Sequence, residues 1–167
     1  MKRFAIALSL LAWTSAAQAE EKIFAMASDD PAMMAATEEA LATLPVFMDH
    51  VIGPRGIAKE GAVLKACVET GDAEHPSECF WFSPFLLLPD GKIAGMSLNE
   101  GVYTDKVKAD APFAFGREQV IDWGWRPGDG KAWGEYTTRV IFEAQGADAE
   151  ALLGLPFSET PLPPEWK

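Results

Sequence analysis

The sequence predicts an α+β fold: an N-terminal kinked helix packed on a curved, mainly antiparallel sheet, with a partly open small barrel as the furthest closure of that sheet. Three observations predict it. A proline-started run of helix formers occupies residues 31–51, an alternating run around Cys67 faces an aromatic run around Cys79, and a Pro-Gly-Asp-Gly turn sits between two further aromatic runs. At 167 residues, the chain suits a single core with little room for a second.

The first element is read as a targeting segment. Lys2 and Arg3 precede an apolar run from Phe4 to Trp13, and Ala17-Gln18-Ala19 supplies the small residues of a cleavage site, so residues 1–19 are expected to be a secretory signal peptide. The apolar run is shorter than the roughly 20 residues of a spanning helix, so no stable membrane anchor is expected after cleavage. The chain carries 14 Lys+Arg against 25 Asp+Glu, a net charge of −11. Without Lys2 and Arg3 it would hold 12 bases against the same 25 acids, a net charge of −13. A chain so acidic, without a Lys/Arg cluster, is not expected to bind nucleic acid, whose affinity rests on cations neutralising phosphates. The expected location is the periplasm or the secreted space.

Residues 20–154 are expected to form the domain. Asp30-Pro31 starts a helix, because Asp caps free amides and Pro is tolerated in the first turn. Ala32 to Leu44 continues it, Pro45 kinks it or begins a second one, and Gly53-Pro54-Arg55-Gly56 ends it. Ala62–Glu69 and Glu78–Ser83 then pair as a hairpin centred on Ala73. This register sets Cys67 opposite Cys79 and Lys65 opposite Trp81, and buries Leu64, Ala66, Val68, Phe80 and Phe82 on one face. The two cysteines are the only ones, and in an oxidising compartment an even pair is expected to be a disulfide, which stabilises by about 2 to 3 kcal/mol. Pro89-Asp90-Gly91 is a turn and Lys92–Leu98 a strand, with shorter extended pieces around Tyr103 and at Phe113–Phe115. Val120–Arg126 and Trp133–Phe142 flank Pro127-Gly128-Asp129-Gly130 as a second hairpin. Ala147–Leu153 is read as a short helix, and residues 155–167 as a Pro-rich tail, extended on the surface or disordered.

Several of these stretches resemble a known family. Gly95-Met96-Ser97-Leu98-Asn99-Glu100, Ile121-Asp122-Trp123 and Gly134-Glu135-Tyr136-Thr137-Thr138-Arg139, preceded by the Thr43-Leu44-Pro45 break, are similar to the pattern of the YegJ-like bacterial family, a domain of unknown function. The resemblance runs from about Asp30 to Phe142. The chain departs from the pattern at Gly101, in its two cysteines and in its tail. It implies a compact helix-plus-sheet domain and brings no catalytic or binding residues with it.

The residues themselves offer two chemistries. Trp123, Trp125 and Trp133 fall in one hairpin, whose pairing sets Trp125 near Trp133 and Trp123 near Glu135. Such indoles line grooves for a sugar, peptide or aromatic ligand, and equally serve as cross-strand packing. Arg139, on the same strand, would stack on an indole or pair with Asp122 or Glu100. Asn99 follows a strand, where turn capping competes with ligand contact. Glu100 with Asp122 is the only carboxylate pair offered for acid–base catalysis. His50 and His75 have no partner at a recognised spacing. No nucleophile elbow, phosphate loop or metal motif is present, so neither a metal nor any other cofactor is expected.

The resulting expectation is a non-catalytic periplasmic binding or interaction module for a protein, peptide or envelope component, using Asn99, Asp122, Trp123, Trp125, Trp133 and Arg139. The alternative is a hydrolase-like enzyme using Glu100 and Asp122 in a cleft beside Trp123. The enzyme question leans towards no, because nucleophile and metal signatures are scarce.

Overall fold

The computed structural model describes residues 30–128, 130–146, 148–154 and 156–166. The expected signal peptide lies outside the described residues. Asp30 starts helix α1 (Pro31–Val51): its Oδ1 accepts from the amides of Ala32 at 2.8 Å and Met33 at 3.3 Å. Met33, Ala36, Ala40, Leu44, Phe47, Met48 and Val51 are buried at the three-to-four spacing of one helix face. Pro45 does not start a second helix. It lies on the exposed side of a single element that continues to Val51, where water can serve the carbonyl that proline leaves without a donor.

Six strands follow: β1 (Ala62–Glu69), β2 (Ser77–Leu87), β3 (Ile93–Ser97), β4 (Pro112–Phe115), β5 (Val120–Trp125) and β6 (Trp133–Gly134). They form one open antiparallel sheet in the order β4-β3-β2-β1-β5-β6, with β4 and β6 at its edges. The fold is therefore α+β. The β1/β2 register is the expected one, with Cys67 opposite Cys79 in a disulfide, Lys65 opposite Trp81, and Leu64, Ala66, Val68, Phe80 and Phe82 buried. β2 runs four residues past Ser83, and a register shift between Phe82 and Phe85 lets it pair with β3 beyond Pro84.

Two expected extended segments depart from expectation. The segment around Tyr103 is irregular: Glu78 accepts from the Val102 and Tyr103 amides at 2.8 and 3.0 Å, and the Tyr103 ring stacks on His75. The segment Trp133–Phe142 is a strand for two residues only and then becomes helix α2 (Tyr136–Gln145), ended by Gly146 in the left-handed region. A short helix α3 (Ala149–Leu153) follows.

The core lies between α1 and the sheet, with Trp123, Phe47, Phe80, Phe82 and Phe115 almost fully enclosed. The Pro-rich tail contributes to it. Ala132 donates to the Pro156 carbonyl and accepts from the Ser158 amide, both at 2.9 Å, and Gly134 donates to the Pro161 carbonyl at 2.8 Å. The tail thus runs along the free side of β6, through a parallel bridge between Ala132 and Phe157, and seats Trp166 in the core at 7% exposure.

Candidate binding site

The site begins with a bulge. Lys65 pairs with Asp122 but Ala66 pairs with Val120, so Ile121 is the extra residue on β5. Beyond the bulge Trp123 points at α1, while Asp122 points to the other side of the sheet. Trp123 donates its indole N–H to the Ala40 carbonyl and the Thr43 hydroxyl, both at 3.1 Å, and stacks on Phe47 with ring centroids 4.7 Å apart. It is fully buried and forms the floor of the site rather than an open groove.

Asp122 organises the opposite side. Its Oδ1 accepts from the Trp123 amide at 2.8 Å and the Tyr136 amide at 3.2 Å; its Oδ2 accepts from the Thr137 amide at 2.8 Å and the Thr137 hydroxyl at 2.6 Å. Tyr136 and Thr137 open α2, whose preceding residue, Glu135, makes no side-chain cap. A carboxylate on β5 therefore caps the helix from across the fold, where both free amides and the helix dipole favour negative charge. Lys65 reaches the same group from β1, donating to the Thr137 hydroxyl at 3.1 Å. Burial pushes the Asp122 carboxyl up to about 6, against the pull of the Thr137 hydrogen bonds and the Lys65 charge. Burial also lowers Lys65, against the pull of Asp122 and Glu135.

Glu135 joins β6 to α2 with φ at 54°, in the left-handed region, and is 1% exposed. Its amide donates to the Trp123 carbonyl at 2.7 Å, and its Oε1 accepts from Arg126 Nε and Nη2, each at 2.7 Å. Its side chain lies over Gly124, where a Cβ would meet Glu135 Cγ at 2.7 Å and Val63 at 2.8 Å.

With its N-terminus so held, α2 presents Arg139 one turn on. The guanidinium donates to the carbonyls of Gly134 at 2.7 Å, Ala132 at 3.0 Å and Ser158 at 2.8 Å, and to the Ser158 hydroxyl at 2.8 Å. It lies 4.5 Å from the centre of the Phe157 ring. Arg139 is thus a helix residue, and neither expected contact forms: its hydrogen bonds go to β6 and the tail rather than to Asp122 or Glu100, and its stacking partner is Phe157 rather than an indole. Trp125 pairs with Trp133 across β5/β6 as expected, and packs on Trp166 with ring centroids 4.7 Å apart. The Trp133 indole nitrogen is buried and, among the described residues, makes no hydrogen bond. His50 completes the slot, stacking on Trp166 at 4.5 Å while its Nδ1 meets the Val46 carbonyl at 2.8 Å.

Asp122, Trp123, Trp125, Trp133 and Arg139 therefore converge on one end of the domain, whereas Asn99 and Glu100 do not. Asn99 accepts from the Trp81 amide at 3.3 Å. Glu100 is exposed and lies 3.3 Å from Lys108. It follows β3, which is separated from β5 by β2 and β1; three strand spacings amount to about 14 Å, beyond the separation at which two carboxyls act together on one glycosidic bond. Lys65, Arg126, Glu135, Thr137, Ser158 and Trp166 are the site residues that sequence reasoning missed. The signal that could have found α2 is the apolar spacing of Tyr136, Val140 and Ile141 with Gly146 as a stop. Among the described residues, no group of three or more His, Cys, Asp or Glu is placed to hold a metal ion, and no helix is long and apolar enough to cross a membrane.

No curated protein and no solved structure matches the chain. The family model described as an uncharacterized protein conserved in bacteria (DUF2314) matches residues 30–152, from the cap of α1 into α3. Since the match covers most of the chain, the protein belongs to this DUF2314 family of bacterial proteins.

Proposed function

We propose that the protein is a non-catalytic binding module that works outside the cytoplasm and holds an extended segment of another envelope protein at the β5/β6 end of the sheet, beside Arg139. One observation carries the reading. Arg139 directs three of its hydrogen bonds to main-chain carbonyls, and an extended segment lies along the edge of β6 against them. Main-chain contacts at a sheet edge, with one aromatic anchor in a pocket, are a recurring way of holding a peptide. The disulfide, together with the sequence of residues 1–19, supports export.

Site-specific photocrosslinking in cells tests the reading. A photoreactive residue replacing Lys131, which is exposed on the body of the domain next to Ala132, is expected to give discrete adducts with another envelope protein. The same residue replacing Glu74, at the β1–β2 turn on the far end of the sheet, is expected to give none. Adducts at both positions, or at neither, would refute the module. Mass spectrometry of the cell-derived protein is expected to find Glu20 as its first residue, and a retained Met1 would exclude export by cleavage after Ala19.

A further inference from the structure

The four rings around Trp166 come from two elements of the domain, Phe47 and His50 on α1 and Trp123 and Trp125 on β5. Their centroids lie 6.5, 4.5, 6.2 and 4.7 Å from that of Trp166. All four belong to the stretch matched by the family model, which stops at residue 152, whereas the occupant of the slot lies beyond it. The tail that delivers the occupant carries Pro156, Pro161, Pro163 and Pro164, and it meets the body through main-chain hydrogen bonds, the Arg139 fork and the packing of Phe157, Leu162 and Trp166. These are the features of a ligand of low conformational entropy docking in an aromatic-lined groove.

We propose that the slot formed by Phe47, His50, Trp123 and Trp125 is a binding site for a proline-rich segment bearing a tryptophan, and that the chain's own residues 156–166 fill it in cis until such a segment of a partner protein replaces them. The proposal rests on the module reading and names the partner's chemistry. A partner must match the tail in two respects: a main chain extended enough to run beside Ala132 and Gly134, and an indole that fits between His50 and Trp125. Because an intramolecular occupant competes at high effective concentration, only the opened form of the full chain binds in trans.

The probe is a synthetic peptide with the sequence of residues 156–167, titrated into the full-length disulfide-bonded protein. The Trp166→Ala protein is expected to bind it, and to bind the same peptide carrying Trp166→Ala about thirtyfold more weakly, as for loss of an interface anchor. The wild-type protein is expected to bind the unaltered peptide at least about tenfold more weakly than the Trp166→Ala protein does. A folded Trp166→Ala protein that fails to bind would overturn the proposal. Should that variant not fold, hydrogen exchange on the wild type decides: the amides of Ser158 and Trp166 are expected to exchange at least about a hundredfold faster than those of Cys67 and Phe80, and equal protection would make the tail a permanent part of the core. A dimer that exchanges tails between two copies, seen by light scattering without peptide, would replace the foreign partner with a second copy and so refute this assignment. Adducts at position 131 without peptide binding would leave the module standing and remove only the tail-like ligand.

Discussion

Asp122 receives four donors while almost wholly out of water, and these two facts oppose each other. Hydrogen bonds favour the carboxylate, burial favours the neutral acid, and burial prevails to place the group at about 6. The folded value lies above the ordinary 3.8, so the native state binds the proton more tightly than the unfolded chain. The stabilisation is therefore complete below about pH 4 and is lost as pH rises through about 6; two pKa units correspond to about 3 kcal/mol. Asp122→Asn removes this dependence, and its amide also turns an N–H group towards the Thr137 amide, leaving a buried donor unpaired at a cost of about 1 to 3 kcal/mol. Urea unfolding is thus expected to find the variant less stable at pH 4, with the gap to wild type closing as pH rises to 7. A gap that widens with pH would reverse the direction assigned to Asp122. Glu135 shows a second compromise, since its backbone takes a conformation that costs a non-glycine residue energy while its Oε1 holds Arg126.

At the scale of elements, the β1–β2 hairpin is where local pattern and tertiary structure agree. Alternation with a period of two sets the face, and the cysteine pair sets the register, so strand, turn and disulfide are all legible in the sequence. The bridge closes a loop across a sequence separation of 12, for which the chain-entropy model gives about 3 kcal/mol. Replacing both cysteines by alanine is expected to lower the unfolding free energy by about that amount while the far-UV spectrum is preserved. An unchanged urea midpoint would mean that the hairpin needs no covalent clamp. The segment from Tyr136 to Phe142 failed to be legible for a physical reason. Thr137, Thr138, Val140, Ile141 and Phe142 favour strands, and what makes them helical is a cap supplied by Asp122 from 14 residues upstream of Tyr136. A contact between residues so far apart leaves no trace in a local window. Arg139 lies on a helix rather than on the expected strand, and its partners Ser158 and Phe157 lie in a tail whose prolines predict a chain extended on the surface or disordered. Trp166 shows the same gap, because burial of one indole depends on a slot that four distant rings assemble.

For the whole molecule, 25 acids against 14 bases set a field that no single contact reveals. The described ion pairs compensate it weakly: Lys108 with Glu100 and with Asp105 is exposed, where water and salt screen the attraction. Only Arg126 with Glu135 is substantially shielded. Repulsion among the excess acids therefore opposes the compact state more than these pairs support it. Raising sodium chloride from about 0.1 M to about 1 M shortens the screening length from about 10 Å to about 3 Å, which removes long-range repulsion before it weakens pairs in contact. The melting temperature at pH 7 is expected to rise by about 2 to 4 °C, on the order of 1 kcal/mol for a domain of this size. Because that repulsion is distributed over the surface, Asp122→Asn is expected to retain the same salt response, whereas its pH response differs from wild type. A melting temperature that falls with salt would mean that attraction between neighbouring charges outweighs the net negative field.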